Sequence, residues 1–142
     1  MALRYLGRRE YAVAELESKL RQRGVETETL GEVMVFLLDH DLVSDERYAE
    51  AWTRARVRKG YGPARIRAEL RRKSVSDRLI AAALSPHDAD WYDLARAWAK
   101  RKHQGELDEK ARARLYRGGM NRGFTHDQVM RAIDALRNTV EP

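Results

Sequence analysis

The sequence contains no cysteine, only three prolines, and no apolar run longer than the one from Val33 to Leu38. The absence of cysteine excludes disulfide bonds and any metal site built from thiolates. A membrane-spanning helix needs about 20 consecutive apolar residues, so no span is expected. Met1 does not open a basic and then apolar leader, so no secretory signal is expected either. These absences together predict a cytoplasmic protein.

Large aliphatic side chains and phenylalanine are also scarce, because Leu, Val, Ile and Phe make up only 29 of the 142 residues. That fraction lies close to the level at which chains become disordered. The chain compensates with 19 alanines, three tryptophans and six tyrosines. Alanine is the strongest helix former and the aromatic rings are large pieces of core, so small, closely packed helices are predicted.

Apolar residues recur at helical spacing along the chain, and no segment alternates apolar and polar residues long enough to predict a strand. Residues that commonly begin helices stand at four places: Ser44, Gly62-Pro63, Ser85-Pro86, and Thr125 with Gln128. Gly24 and Gly123 stand where helices are predicted to end in a left-handed residue. The fold class predicted is all-α.

The helices follow a repeat with anchor positions at Gly24, Ser74 and Gly123. An apolar residue follows each anchor, and further apolar residues recur six and ten positions after it and eight before it. These matches predict tandem three-helix units at 1–43, 44–87 and 88–142, the first with a clipped N-terminal helix. One such unit buries little apolar area alone, so the units are predicted to pack end to end in an elongated, curved helical array.

Charge is distributed unevenly around a net of +6. Residues 24–50 carry eight acids and one base, whereas residues 51–73 carry nine bases and one acid. Of the 28 basic residues 22 are arginines, whose planar donor groups pair bidentately with phosphate or carboxylate. On a folded scaffold the 51–73 block creates a local potential that attracts phosphate or an acidic protein surface.

This basic stretch is the candidate functional site. The turn at Gly60–Pro63 is expected to bring two helices together, so that bases from both converge. The residues predicted to contact a partner or DNA are Arg54, Arg56, Arg58, Lys59, Tyr61, Arg65, Arg67, Arg71, Arg72 and Lys73. Their guanidinium groups are expected to face water. The alternative is neutralisation within the molecule by the acids of residues 24–50, among them Glu26, Glu28 and Glu32.

For several other residues a structural role is favoured over a role in metal binding, base stacking or catalysis. Asp39-His40-Asp41 is a conceivable metal site, but adjacent helical residues point in different directions, and solvated polarity at a helix end is favoured. Trp52 and Trp98 are expected to anchor the core, and Tyr61 is placed to staple the start of a helix. No catalytic set, metal ligand set or cofactor motif is recognised, so the chain is not expected to be an enzyme.

Four strings carry a family resemblance: REYAVAELESKLRQRGV at 9–25, LVSDERYAEAW at 42–52, RKGYGPARIRAELRRKSV at 58–75 and NRGF at 121–124. They resemble the RecX family of recombinase regulators, in the same order and over nearly the whole chain. Position 74 departs from the pattern, because serine stands where the family favours glycine. A left-handed serine costs about 1 kcal/mol, so this helix end is expected to be shaped differently.

The resemblance implies an all-helical regulator that binds the RecA filament of protein and single-stranded DNA. Such proteins suppress recombinase, ATPase and coprotease activities in DNA repair and the SOS response. It further implies a monomer without cofactor or membrane contact, with weak direct binding to DNA alone. The alternative is a stand-alone helix-turn-helix protein that reads a nucleic-acid groove with the helix from Pro63 to Lys73. That alternative requires tight, sequence-selective duplex binding without RecA.

Overall fold

The computed structural model describes residues 1–140, with side chains described as far as residue 137. All regular structure in this part of the chain is helical, which confirms the all-α prediction. The helices are α1 (Ala2–Leu6), α2 (Val13–Gln22), α3 (Thr27–Asp39), α4 (Asp45–Arg58), α5 (Pro63–Arg72), α6 (Asp77–Leu84), α7 (Trp91–Lys102), α8 (Glu109–Asn121) and α9 (His126–Val140). None of the helices within residues 1–140 has both the length and the apolarity of a membrane span.

Three helices begin where the capping residues predict, namely α4, α5 and α9. The Ser44 hydroxyl accepts a hydrogen bond from the Arg47 backbone N–H at 3.2 Å, so it caps α4. Pro63 is the first residue of α5, where its missing N–H costs nothing. Thr125 and Gln128 form a reciprocal capping box, with hydrogen bonds of 2.9 and 3.2 Å.

The start predicted at Ser85-Pro86 was wrong. Ser85–His87 forms a single 3-10 turn directly after α6, and α7 begins only at Trp91. The turn continues into a second bend, in which Asp90 N–H donates to the His87 carbonyl at 2.8 Å. Proline at the first position fixes one helical φ angle but does not ensure that a helix propagates beyond it.

The three repeat anchors end their helices in the same way. Gly24, Ser74 and Gly123 have φ angles of 92°, 62° and 93°. In each copy the residue after the anchor donates its N–H to the carbonyl five residues earlier, at 3.2 Å. This Schellman geometry satisfies carbonyls that the helix leaves open. Ser74 therefore keeps the geometry of the other two anchors, and the different shape expected for this helix end was wrong.

Ser74 adopts a left-handed backbone, in which its Cβ atom crowds the following carbonyl oxygen. Replacing Ser74 by glycine removes this Cβ atom and is therefore expected to stabilise the protein. The gain is about 0.5–1 kcal/mol, after the greater chain entropy of unfolded glycine is subtracted. The free energy of unfolding in urea measures this change. A Ser74→Gly variant with unchanged or lower stability would contradict the assignment of strain to this residue.

The chain divides into two compact units. Unit 1 comprises Met1–Trp52 and Leu70–Ala83, and unit 2 comprises Thr53–Glu69 and the residues from Leu84 onward. Helices α4 and α5 therefore each contribute residues to both units. The three-unit boundaries 1–43, 44–87 and 88–142 stay a prediction.

Each unit contains an apolar core built from the predicted stripes. The core of unit 1 includes Tyr11 and residues of α2 and α3 such as Leu16 and Leu30. The core of unit 2 is formed by α7, α8 and α9, with Trp98 against Phe124 at a ring-centre distance of 6.4 Å. Trp98 is 5% exposed and is a core anchor as predicted, whereas Trp52 is only half-buried.

Candidate functional site

The turn between α4 and α5 is fixed by backbone contacts within unit 2. Gly62 N–H donates to the Arg122 carbonyl at 2.8 Å, and Ala64 N–H donates to the Gly123 carbonyl at 2.9 Å. A Cβ atom on Gly62 would lie 2.4 Å from the Phe124 backbone nitrogen. The α4–α5 turn and the α8–α9 turn therefore touch backbone to backbone, which holds the α4–α5 turn in one position.

Three arginines surround the ring of Tyr61, and we call these four side chains the arginine–tyrosine cluster. The guanidinium carbons of Arg56, Arg65 and Arg122 lie 4.1, 4.2 and 4.9 Å from the ring centre. All three distances are within the range of cation–π attraction. The bases of α4 and α5 in unit 2 thus converge at the turn, as the sequence predicts.

Glu69 is the carboxylate that faces this cluster. Arg56 donates to both of its oxygens, and Arg65 Nε lies 3.7 Å from one of them. The side chains of Arg56 and Glu69 are 14% and 16% exposed, so this ion pair is largely removed from water. One negative charge stands against three positive ones, and the cluster keeps a net charge of +2.

The other donors of Arg65 and Arg122 bind backbone carbonyls. Arg65 Nη1 donates to the Asn121 carbonyl at 3.3 Å, and Arg122 Nη1 donates to the Lys59 carbonyl at 3.2 Å. Arg101 reaches the same turn, since its Nη2 would lie 3.6 Å from a Cβ atom on Gly60. These contacts orient the guanidinium groups without neutralising them.

Sequence reasoning missed Arg101 and Arg122, which lie far along the chain from the basic stretch. One signal points to Arg122, because the residue before each repeat anchor is basic: Arg23, Lys73 and Arg122. No local pattern singles out Arg101, which is one of three basic residues in the last turn of α7.

Four predicted site residues of unit 2 have side chains without a partner among the described residues, and we call them the uncommitted bases. The side chains of Arg54, Arg58, Lys59 and Arg67 are exposed. Within the described residues they form no side-chain hydrogen bond or ion pair. They add four positive charges that are available to an external anion.

The remaining three predicted site residues belong to unit 1. Arg71 Nε lies 3.1 Å from a carboxylate oxygen of Asp77, and Lys73 Nζ lies 2.7 Å from a carboxylate oxygen of Glu15. Arg72 is exposed and has no side-chain partner within the described residues.

The expectation that the guanidinium groups face water unpaired was therefore wrong for Arg56, Arg65 and Arg71. Their partners are Glu69 and Asp77, which are close in sequence. Arg65 precedes Glu69 by four residues within α5. One turn between helices separates Arg56 from Glu69 and Arg71 from Asp77. The carboxylates of these three pairs lie outside residues 24–50. Carboxylates close in sequence pair with these arginines across short segments of chain, so the entropic cost of closing the loop between the partners is smaller.

Of the residues weighed for metal binding, His40 makes other contacts. His40 Nδ1 donates to the Phe36 carbonyl at 2.9 Å, and the two rings lie 4.2 Å apart. Within the described part of the chain no three His, Asp or Glu residues are grouped as metal ligands.

Comparison with known proteins gives one consistent result. Models of the first, second and third three-helix domains of RecX match residues 1–37, 44–84 and 88–133. Proteins named regulatory protein RecX are similar to the chain. That of Chromohalobacter salexigens is 39% identical over 140 residues, covering 97% of this chain and 92% of its own. The protein from Vibrio campbellii is 37% identical over 134 residues, which cover 93% of this chain and 86% of the relative.

The solved structures show the same fold. A crystal structure of RecX from Lactobacillus salivarius superimposes with a TM-score of 0.84 at 24% identity, covering 96% of this chain and 92% of that one. A second crystal structure, of regulatory protein RecX, gives a TM-score of 0.82 at 22% identity. The match covers 93% of this chain and 69% of that one.

Proposed function

Because this chain belongs to the RecX family, we propose that it binds the RecA nucleoprotein filament and inhibits its recombinase, ATPase and coprotease activities. In this role it is a regulatory protein of DNA repair and the SOS response, without chemistry of its own. It acts in the cytoplasm as a monomer and needs no cofactor. The observation that carries the proposal is the set of uncommitted bases around the α4–α5 turn.

These bases suit an anionic partner surface such as the phosphates of filament-bound DNA or carboxylates of the recombinase. Arg58 is the last residue of α4 and Lys59 follows it, and Arg67 lies on α5 within the same unit. The arginine–tyrosine cluster adds a net charge of +2 that its own contacts hold in place. Charges that are already positioned lose little conformational entropy on binding, which favours affinity.

The proposal is tested by reversing three of the four uncommitted charges in the variant Arg58→Glu, Lys59→Glu and Arg67→Glu. We expect the concentration for half-inhibition of RecA ATPase and strand exchange to rise at least about tenfold. Helicity and thermal stability are expected to remain, because these side chains form no ion pair within the described residues. Co-sedimentation with pre-assembled RecA–DNA filaments measures binding directly.

The matched control is Arg96→Glu, Lys110→Glu and Arg114→Glu, which has the same charge change on exposed residues of the same unit. Full inhibition by the first variant would overturn the siting, and equal loss in both would assign the effect to net charge alone. Naked duplex DNA is the third arm. Tight, sequence-selective binding to it without RecA would favour the helix-turn-helix alternative.

A further inference from the structure

Unit 1 contains a concave cleft of about 540 Å³. Its walls come from the segment before α2, from one face of α2 and from the end of α5. The lining residues that carry charge are Arg9, Glu15, Lys19, Arg72 and Lys73. Four cations thus share one carboxylate, which leaves a net charge of +3 among the charged residues that line the cleft.

Glu15 organises two of these cations. Arg9 donates to its two carboxylate oxygens at 3.1 and 3.2 Å, and Lys73 donates at 2.7 Å. Burial acts to raise the pKa of Glu15, but the hydrogen bonds from Arg9 and Lys73 outweigh it and hold the pKa below its ordinary value. The carboxylate therefore stays ionised, and it fixes Arg9 and Lys73 at the cleft while cancelling a single charge.

Lys19 and Arg72 have no carboxylate partner within the described residues. Lys19 Nζ donates to the Tyr11 hydroxyl at 3.2 Å and lies 4.5 Å from the centre of the Tyr5 ring. Arg72 forms no side-chain hydrogen bond among the described residues. Placing unneutralised cations together in a concave site is unfavourable unless an anion enters.

The contacts of the cleft define the class of anion. The Tyr11 ring is 4% exposed, and the Arg9 guanidinium covers it at 3.6 Å, so no aromatic face is open to stack on a nucleic-acid base. The donors are two lysine ammonium groups and two arginine forks from different segments. Arginine forks and lysine ammonium groups are both donors that bind the oxygens of a phosphate group.

We propose that the unit 1 cleft binds a phosphate group, with Arg72 and Lys19 as the cations that contact it and Glu15 as the residue that positions Arg9 and Lys73. The group is either a free phosphate ion or a phosphodiester of single-stranded nucleic acid. This site stands apart from the proposed function, because the residues that carry that function lie in unit 2.

The test uses the full chain and measures backbone amide shifts by NMR while a probe is titrated. The probes are pyrophosphate, a thymidine pentanucleotide and a pentaglutamate peptide, all at low ionic strength. We expect pyrophosphate or the pentanucleotide to shift the amides of Ser18, Lys19 and Ser74, which line the cleft. Tighter binding of pyrophosphate identifies a free phosphate site, and tighter binding of the pentanucleotide identifies a nucleic-acid phosphate. Both results support the proposal.

Three substitutions decide whether the cleft causes these shifts. Arg72→Ala is expected to weaken binding about fivefold, whereas Arg78→Ala, an exposed arginine of α6 in the same unit, leaves it unchanged. Glu15→Gln is expected to act in the opposite direction and tighten binding, because it removes the competing negative charge while its amide oxygen still accepts hydrogen bonds from Arg9 and Lys73. Its folded state is checked by circular dichroism, and Arg72→Ala carries the test if it unfolds.

Three results would overturn the proposal. The first is equal binding by the Arg72→Ala and Arg78→Ala variants. The second is pentaglutamate binding at least as tightly as both phosphate probes, which would assign the cleft to acidic peptide. The third is the absence of shifts at the cleft with every probe. Because RecA inhibition is not a readout here, failure of this proposal is distinguishable from failure of the proposed function.

Discussion

Replacing Gly123 by alanine is expected to destabilise the protein by about 3–4 kcal/mol, whereas the same change at Gly24 costs about 1 kcal/mol. Both glycines end a helix with nearly the same φ angle, 93° and 92°. The penalty for a left-handed alanine is therefore shared. The remaining difference comes from what a Cβ atom would meet at each position.

At Gly24 a Cβ atom would have no other atom within 4 Å. At Gly123 it would lie 2.2 Å from Arg65 Cβ and 2.6 Å from the Arg65 backbone nitrogen. Backbone atoms of α5 cannot swing away as a side chain can, so the two turns must separate. Separation breaks the hydrogen bonds that Gly62 and Ala64 donate across the contact.

Urea denaturation of the two variants, followed by circular dichroism and by tryptophan fluorescence, measures the difference. Both probes are needed because two compact units need not unfold in one step. Equal destabilisation of the two variants would show that the turn contact adjusts to a methyl group, against the close packing described for unit 2.

The features that the sequence predicted well are those determined by neighbouring residues. The Schellman ends at Gly24 and Gly123 depend on a left-handed residue followed by an apolar one, and both stand side by side in the sequence. The capping box of Thr125 and Gln128 is equally local. Repetition of these short signals was sufficient to predict helix ends and the all-α class.

The candidate site was predicted less completely because its electrostatics depend on distant partners. Arg122 enters the cluster through a turn contact between segments about 60 residues apart, which no local pattern encodes. Lys73 was assigned to a single basic patch, yet it pairs with Glu15, 58 residues earlier. Charge along the sequence therefore identified a basic region but did not identify which of its bases remain unpaired.

Replacing Glu69 by glutamine is expected to cost about 2–3 kcal/mol of folding free energy, and Arg56→Gln about the same. The two groups are largely shielded from water and share a bidentate ion pair. Removal of either leaves a charge that is partly desolvated and has lost its main counter-charge. The double variant Arg56→Gln with Glu69→Gln is expected to cost clearly less than the sum of the single changes, because neither charge is then left behind.

A double-mutant cycle on the free energy of unfolding isolates this coupling, for which we expect about 1.5–2 kcal/mol. The control pair is Arg21 and Glu17, an exposed ion pair of 3.1 Å within α2, for which about 0.3–0.5 kcal/mol is expected. A coupling at Arg56–Glu69 as small as that of the control would mean that contacts other than this ion pair, such as the one with the Tyr61 ring, position Arg56. In that case cation–π contacts would hold the cluster together, and the positions of its guanidinium groups would not depend on Glu69.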